Sequence, residues 1–425
     1  MSSLANCRAN SCVARNPKNS RIYLRHTFKF LIVIFCLGCL VGCSSISTST
    51  SSVLVDSGPA KLVATTPSSS ATTVTTASPN KLSFTLAVSG DILPHSRLWA
   101  GAQRNAAVDG NATKDVHGYD FRPMFALVKP IISSVDLAIC HLETPIAPSG
   151  EKLSTFPFFG VPSQIADAIG DAGFDRCSTA SNHAMDRGTR GIDATLNALD
   201  RAHVAHAGMA RTPSEINPYV FKVNGVQVAH MSYTFSYNGL PAANGETWRS
   251  ALINTDRILR DVHQARTLGA QVVLLSMHWG NERESAPSSF QQQIADEITK
   301  SGQVNLIIGS HAHVLQPIRA VNGTWIIYGL GNFLSDMPTT PKDPPWPAST
   351  QDGAIVTATI TVAADGKVFV AQPVVIPTWV DRVSGWQIRS VLDELQKNDL
   401  KSSTNNELKD SLKRTTKVVG EYIRN

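Results

Sequence analysis

The feature that most constrains the fold is a series of apolar, strand-like runs that recurs from Leu82 onwards. Helical patterns lie between several of these runs. TDRILRDVHQARTLG and SSFQQQIADEITKSG have apolar residues three and four positions apart, as an amphipathic helix requires. Strands that alternate with helices in this way predict a layered α/β domain. The strand-like runs are FTLAVSGD, SVDLAICHLE, FDRCSTASNH, VQVAHMSYTF, QVVLLSMHWG, VNLIIGSHAH and WIIYGLGNF.

Turn signals indicate that the sheets of this domain are mixed. Asn224-Gly225 and Asn322-Gly323 each separate two strand-like runs, and Asn-Gly strongly favours a tight β-hairpin. A hairpin joins antiparallel strands, whereas a crossover through a helix joins parallel ones. After Asp352, two further β-rich runs on either side of Asp365-Gly366 are expected to complete a sheet.

Residues 1–42 are expected to form a lipoprotein signal peptide. Basic residues precede an apolar run from Phe30 to Gly42 that is too short to span a membrane comfortably. The run closes with Leu40-Val41-Gly42-Cys43, which resembles the lipobox of bacterial lipoproteins and makes Cys43 the expected lipidation site. An uncleaved signal anchor and an ordinary secretory signal are the alternatives.

The rest of the chain divides by composition into three parts. Residues 43–80 are rich in Ser, Thr, Ala and Pro and nearly uncharged, which indicates a flexible linker between the lipid anchor and the domain. Residues 81–385 contain the strand-like runs and form the predicted domain. Residues 386–425 are expected to form a charged helical tail, as surface helices that are partly disordered.

The net charge gives no support for nucleic-acid binding. The whole chain has a formal net charge of +5, but residues 1–42 contain six basic residues and no acidic one. Cleavage after residue 42 would leave 32 basic and 33 acidic residues, a net charge of −1. The positive balance therefore belongs to the signal segment, and we expect no nucleic-acid partner.

Two cysteines, Cys140 and Cys177, follow Cys43 in the sequence. Export to an oxidising compartment would permit a disulfide between them. Both lie in apolar strand-like runs, which favours two buried, unpaired thiols instead.

Polar residues of the kind that bind metals follow the strand-like runs where each run ends. The carboxyl ends of strands in a layered α/β protein border the crevice in which ligands collect. Carboxylates and imidazoles together suit Zn²⁺, Mn²⁺ or Fe²⁺, and a bridging carboxylate allows two ions to share a site. The residues are Asp91, Glu143, Asn182, His183, His278, Glu282, His311 and His313.

Each of these residues also has an ordinary structural interpretation. Asp91 could cap a turn, Glu143 could pair with an arginine, and His278 could be a hydrogen-bonded core histidine. His311 and His313 could be polar loop residues, although residues two apart on a strand point to the same side and would converge. The joint pattern of polar strand ends favours a metal site over the separate interpretations.

Six blocks lie in order within residues 86–336 and read SGDILPHSR, DLAICHLETPI, STASNHAMDRG, MHWGNE, GSHAHVLQP and YGLGNFLSD. Together they resemble the CapA family of poly-γ-glutamate capsule-synthesis proteins, a branch of the calcineurin-like metallophosphoesterase superfamily. The resemblance implies a four-layer α-β-β-α sandwich with mixed sheets and with the metals at the carboxyl ends of the strands.

The resemblance also implies a role for each residue of the site. His183 would be the general acid, Glu143 would bridge two metals, and Asn182 would bind the second metal. Asp91, His278, His311 and His313 would complete the two coordination spheres, with His311 and His313 on different ions. We expect Arg97, Arg187, Glu282 and Asn332, which lie in the matching blocks, to bind or shape an anionic substrate.

The sequence departs from the superfamily pattern at its first block. An Asp-x-His motif is usual there, but Asp91 is followed by Ile92-Leu93, which removes one histidine ligand. Either His95 substitutes for it, or that metal has fewer protein ligands. Leu142-Glu143 stands where the superfamily has Gly-Asp.

The function that these features and the family resemblance together imply is an envelope-anchored, metal-dependent hydrolase or transferase of capsule or poly-γ-glutamate biosynthesis or export. Its cofactors would be two divalent ions, Mn, Zn or Fe. Its partners would be the acidic polymer, the membrane through the N-terminal lipid on the extracytoplasmic face of a bacterium, and membrane-embedded synthase subunits.

Two other functions fit parts of the sequence. One is a non-catalytic lipoprotein subunit that binds or guides the polymer beside a membrane synthase. The other is a TIM-barrel amidohydrolase, but the His-x-His motif of that class lies near the first strand, whereas His311 and His313 follow a late one.

Overall fold

The computed structural model describes residues 81–108, 118–242, 245–337, 346–397 and 400–424. The predicted signal peptide, Cys43 and the linker to residue 80 lie outside these residues. Within the described ranges, no helix combines the length and the apolar character needed to cross a membrane.

Fifteen strands form two sheets in the part of the chain that the structure describes. Their bounds in chain order are β1 (Leu82–Leu93), β2 (Leu137–Leu142), β3 (Arg176–Ser178), β4 (Ala205–Ala207), β5 (Val220–Val223), β6 (Val226–Thr234), β7 (Val272–Trp279), β8 (Leu306–His311), β9 (Ile318–Val321), β10 (Thr324–Ile327), β11 (Asn332–Ser335), β12 (Asp352–Val362), β13 (Val368–Val370), β14 (Val374–Asp381) and β15 (Gln387–Ser390).

The helices lie between and after these strands. Ser288 caps the N-terminus of the helix that begins at Ser289. The side chains of Ser288 and Gln291 each form a hydrogen bond with the backbone N–H of the other residue, an arrangement known as a capping box. The bounds are α1 (Ser96–Val108), α2 (Arg122–Phe125), α3 (Lys129–Ile132), α4 (Gln164–Asp171), α5 (Gly188–Arg201), α6 (Thr255–Thr267), α7 (Ser289–Thr299), α8 (Val391–Leu395) and α9 (Ser402–Val419).

Both sheets are mixed, as the turn signals predicted. The first sheet has the order β15-β14-β12-β1-β2-β3-β4, with β11 beside β1 and β13 beside β12. The second has the order β5-β6-β7-β8-β10-β9. Asn224-Gly225 joins β5 to β6 and Asn322-Gly323 joins β9 to β10, and all four residues have positive φ angles. Positive φ at both central positions is what a type I′ hairpin requires.

The two sheets pack face to face, with helices on their outer faces. Leu86 of β1, Val228 of β6 and Leu274 of β7 belong to the apolar core between the sheets. Neighbouring residues of the same strands point outwards, since side chains alternate along a strand. Ala138 of β2 packs with helices α2 to α4, and Val273 of β7 packs with α6 and α7. The predicted four-layer α-β-β-α sandwich is confirmed.

The predicted tail packs on the first sheet. β15 pairs with β14, and Trp379, Val391 and Leu408 form a small apolar core beneath α9. Arg414 of α9 donates from Nε and Nη2 to the buried carboxylate of Asp352, over 2.6 and 2.8 Å. The described residues after 386 therefore continue the packing of the domain that was expected to end at residue 385.

The two late cysteines lie opposite each other on β2 and β3. Cys140 and Cys177 are partners in the parallel pairing, their Cα atoms are 4.5 Å apart, and a disulfide joins them. Both are buried, as predicted. The expectation of unpaired thiols is wrong, because the pairing register that brings the sulfurs together was not evident from the sequence.

Candidate metal centre

The polar strand ends converge where the carboxyl ends of the parallel strands of both sheets meet. Asp91 lies near the end of β1, and Glu143 and Asn182 follow β2 and β3. The second sheet contributes His278 from β7 and the histidines at and just after the end of β8. The last group includes His311 and His313. All six of these side chains are buried. The convergence at a strand-end crevice is the arrangement expected of a ligand site in this fold class.

Near its carboxyl end, β1 approaches a neighbouring segment so closely at Gly90 that a side chain would not fit. Register shifts flank Asp91, and a Cβ on Gly90 would lie 2.1 Å from the carbonyl oxygen of Gly331. The backbone N–H of Asp91 instead donates to that oxygen over 2.9 Å. Gly90 therefore allows β1 to approach the segment before Asn332 closely enough to place Asp91 in the site.

Two groups of three side chains have the proximity needed to hold a metal ion. Within each group one ligand atom per residue lies within 4.8 Å of the others. Asp91, His141 and His278 form the first group. Glu143, His311 and His313 form the second.

Glu143 gives the clearest sign that a cation belongs here. Its side chain is completely buried, and neither carboxylate oxygen has a hydrogen-bond partner among the described residues. Burial raises the pKa of Glu143 well above its ordinary value, although the nearby His313 opposes the rise. A buried carboxylate without hydrogen-bond partners is costly, and a divalent ion would compensate its charge. The residues present therefore fit a metal.

The histidines around Glu143 divide into neutral and charged imidazoles. Burial lowers the pKa of His278 and of His311 well below the ordinary value. Burial also disfavours the charged form of His313, but Glu143 and the hydrogen bond to Asp91 raise its pKa to about 10. Neutral imidazoles offer a lone pair to a metal, and the carboxylates attract positive charge. Both properties suit a cation site.

The His-x-His motif owes its shape to a strained turn rather than to a strand. β8 ends at His311, and both His311 and His313 have positive φ angles, 93° and 57°. Such angles are rare for residues with a Cβ and concentrate at functional sites. The backbone N–H of His311 donates to Asp91 Oδ2 over 3.1 Å, which ties the turn to β1.

The two histidines of the motif occupy one group, around Glu143. His313 Nε2 lies 3.7 Å from Glu143 Oε1, and Nδ1 of His311 is buried without a hydrogen-bond partner in the described ranges. Their division between two different ions stays a prediction.

His183 lies beside the metal groups and has a carboxylate partner. Its Nδ1 is 2.7 Å from Asp186 Oδ2, and the same oxygen accepts the backbone N–H of Phe159. The Phe159 ring contacts the imidazole edge-on, with centroids 4.7 Å apart. Because Asp186 engages Nδ1, Nε2 is the nitrogen that can exchange a proton with a bound molecule. Asp186 was not identified as a site residue from the sequence. Its position three residues after His183 was the only signal in the sequence that the two side chains could meet.

Asn182 and Asn332 each contact a histidine of the site. Asn182 Oδ1 lies 2.9 Å from His278 Nε2. Asn332 is buried, its Oδ1 lies 3.0 Å from His313 Nδ1, and its amide donates to the carbonyl of Thr350. Asn332 therefore orients a histidine, and its predicted contact with substrate stays a prediction.

The predicted substrate residues Arg97, Arg187 and Glu282 lie around this centre. Arg97 and Glu282 are exposed, and Arg97 Nε is 3.8 Å from Asp336. Arg187 donates to the carbonyls of Phe159 and Lys152 and to Glu151, so it fastens the hairpin of residues 151–160 against α5. Roles in substrate binding stay predictions for all three residues.

His95 does not join either metal group. Its Nδ1 accepts the backbone N–H of Asp336 over 3.3 Å, and its ring packs edge-on against Phe159. The histidine that enters the centre is His141, which the sequence reasoning passed over inside the run LAICHLE. It pairs with Asp91 across β1 and β2 and precedes Glu143 by two residues, a spacing that places both on one side. Burial lowers the pKa of His141 to about 4.

Comparison with known proteins places the chain in a family. The model of the bacterial capsule synthesis protein PGA_cap matches residues 85–337, more than half of the chain. The capsule biosynthesis protein CapA of Bacillus anthracis is 27% identical over 248 residues, 56% of this chain and 58% of that protein. The PGA biosynthesis protein CapA of Bacillus subtilis is 28% identical over 237 residues, 55% of this chain and 60% of that protein.

The chain thus spans less than two thirds of the length of these curated relatives. Among solved structures, the calcineurin-like phosphoesterase YfkN from Bacillus subtilis aligns at 11% identity with a TM-score of 0.43, over 80% of this chain and 99% of that one. A similarity at that level carries no argument about activity. The family match over residues 85–337 is the finding that decides: the chain belongs to the bacterial capsule synthesis protein PGA_cap family.

Proposed function

We propose that this protein is an envelope-anchored, metal-dependent hydrolase or transferase that acts on an acidic polymer, poly-γ-glutamate, or on a phosphorylated intermediate of its synthesis. The observation that carries the proposal is the completely buried Glu143, whose carboxylate has no hydrogen-bond partner in the described ranges and lies among histidines. A chain that only bound a polymer would have no need of this costly group.

The side chains that would hold metal come from both groups and from Asn182: they are Asp91, Asn182 and His278, with Glu143, His311 and His313. Carboxylate, amide and imidazole donors suit Mn²⁺, Zn²⁺ or Fe²⁺, and two groups that adjoin each other support two ions. When bound, such ions polarise an acyl or phosphoryl oxygen and acidify a water molecule. The negative oxygens of an acidic polymer or a phosphate would be drawn to the same charge.

His183 and Asp186 would supply the proton for the leaving group. Asp186 fixes the ring through Nδ1, and the Phe159 edge limits its rotation. A histidine held in this way can donate from Nε2 to a departing oxygen or nitrogen, a contribution of about 10²- to 10⁴-fold in rate. His183 would act as the catalytic acid and Asp186 as its positioning residue.

The link to capsule polymer comes from the family and from the names of the relatives. Lipidation of Cys43 would anchor the domain outside the membrane, beside a membrane-embedded synthase, with residues 44–80 as a tether. The Cys140–Cys177 disulfide supports export, because disulfides persist in oxidising compartments. Replacement of Cys43 by Ala should move the protein from the membrane fraction to the soluble fraction, and an unchanged distribution would refute the anchor.

One experiment separates this proposal from a non-catalytic polymer-guiding subunit. We would measure hydrolysis of phosphoester and γ-glutamyl substrates, and polymer display on cells, for the wild type and for His183→Ala. The enzyme proposal expects both to be lost in the variant while its metal content is unchanged. Full polymer display by His183→Ala, with no hydrolysis by either protein, would favour the guiding subunit.

A further inference from the structure

His141 lies between the two sheets with both ring nitrogens in contact with protein groups. It is buried, its Nδ1 is 2.8 Å from Ser178 Oγ, and its Nε2 is 2.9 Å from His278 Nδ1. On its far side the His278 ring presents Nε2, 2.9 Å from Asn182 Oδ1. Ser178, His141, His278 and Asn182 thus form one continuous row that ends in the candidate metal centre.

The protons in this row can be arranged in two ways. A neutral imidazole has one N–H donor and one acceptor nitrogen, so the choice at one ring dictates the next. If Ser178 Oγ donates to the carbonyl of Cys140, which lies 3.2 Å away, it accepts from His141 Nδ1–H. His141 Nε2, the nearer of two neighbours of His278 Nδ1 at 2.9 Å against 3.2 Å for Ser310 Oγ, then accepts from His278 Nδ1–H, and His278 Nε2 has a lone pair. In the reverse arrangement His278 Nε2–H donates to Asn182, and no lone pair faces the centre.

We propose that His141 is a positioning residue that holds His278 in the tautomer whose Nε2 binds a divalent ion beside Asn182. The inference rests on the proposed metal-dependent function. His278 Nε2 and Asn182 Oδ1, both acceptors in this arrangement, are 2.9 Å apart, and a cation that both atoms bound would offset the repulsion between their lone pairs. Partners of this kind, behind a metal-binding histidine, orient the ring and raise its basicity.

The same geometry argues against His141 as a metal ligand. In the arrangement that frees His278 Nε2, both nitrogens of His141 are used by Ser178 and His278. An ion on His141 Nε2 would have to break the 2.9 Å contact with His278. Hence His141, although it belongs to the first group of three with Asp91, acts through His278.

Substitutions that keep or remove the acceptor test the role. Gln at position 141 can accept from His278 with its amide oxygen and donate to Ser178 with its amide nitrogen, whereas Leu can do neither. We expect His141→Leu to weaken binding of Zn²⁺ or Mn²⁺ by about 10- to 100-fold, with the number of ions bound at saturation unchanged. His141→Gln should recover most of the affinity. Ser178→Ala, which removes the far partner, should weaken binding by a smaller factor.

The measurements are chelator competition for affinity and elemental analysis at saturating metal for stoichiometry, on the full-length protein purified in detergent. His230→Leu is the matched control. His230 is also buried, is also bonded to a serine through its Nε2, and belongs to β6, outside both metal groups. Its replacement should leave metal affinity unchanged. If His141→Leu fails to fold in chelator, His141→Gln and Ser178→Ala carry the comparison.

The outcomes separate the positioning role from the proposed function. A wild-type protein that binds no ion refutes the proposed function itself. A wild type that binds metal, with His141→Leu of equal affinity, overturns the positioning role alone. Loss of one whole ion from both His141→Leu and His141→Gln would make His141 a ligand and also overturn the inference.

Discussion

Glu143→Gln should be more stable than the wild type in the absence of metal and less stable than the wild type when metal is bound. Glu143 is completely buried, and neither oxygen has a hydrogen-bond partner in the described ranges. An unsatisfied buried charged group costs more than about 1–3 kcal/mol, and His313, 3.7 Å away, offsets part of that cost. We expect Glu143→Gln to raise the free energy of unfolding of the metal-free protein by about 1–2 kcal/mol.

Bound metal should change the sign of the difference in free energy of unfolding between Glu143→Gln and the wild type. An ion at 1,000 times its dissociation constant stabilises the protein that binds it by about 4 kcal/mol. Since Glu143→Gln loses the central ligand, it gains little, and the wild type becomes the more stable protein by about 2–3 kcal/mol.

Urea unfolding in EDTA and in saturating Mn²⁺ or Zn²⁺ measures both differences. Glu407→Gln, on the exposed face of α9, is the matched control and should be neutral in both buffers. The reasoning is refuted if Glu143→Gln is less stable than the wild type in EDTA and responds to metal equally, because the carboxylate would then have a structural partner instead of a cation.

Three further results are expected. Asp186→Asn should lower turnover of a phosphoester or γ-glutamyl substrate by about 10²-fold, because His183 loses the carboxylate that orients it. The metal content of the variant should be unchanged, and a variant that lost metal would contradict the positioning role of Asp186. Arg414→Met should lower the free energy of unfolding by about 2–3 kcal/mol, because it leaves the buried Asp352 carboxylate without its ion-pair partner. Adding Asp352→Asn to Arg414→Met should restore part of the lost stability. If the two substitutions instead lowered stability additively, the ion pair would not be stabilising. Mass spectrometry of the unreduced protein should find the peptides of Cys140 and Cys177 linked, whereas two alkylatable thiols in the denatured protein would disprove the disulfide.

The layered fold could be predicted because local signals agree with it throughout. The Asn-Gly pairs at 224–225 and 322–323 form hairpins, and the helical patterns after Asn254 and Ser288 form α6 and α7. The strand ends could be identified for the same reason. An apolar run that stops at Asp, Glu or His is a local pattern, so its recognition requires no knowledge of contacts between distant residues.

What the sequence could not provide was the pairing between distant segments. His141 contacts His278, 137 residues away, and nothing in LAICHLE distinguishes a histidine that faces the other sheet from a core residue. The disulfide depends on the register of β2 against β3, and Arg187 fastens a hairpin whose closing contacts are non-local. Asn332 lies in the glycine-rich block YGLGNF, but its contact with His313 depends on the pairing of β11 with β1, which is not evident from the sequence.

The most direct test of the metal centre is anomalous diffraction from crystals of the protein equilibrated with Mn²⁺ or Zn²⁺, measured at the absorption edge of the metal. We expect a strong anomalous peak about 2.0–2.2 Å from a Glu143 oxygen and from an imidazole nitrogen of the second group. A second peak beside His278 and Asn182 would establish the two-ion site. Saturated crystals with no peak near Glu143, and with its carboxylate bonded to protein or water, would contradict the proposal that this buried cluster is a metal centre.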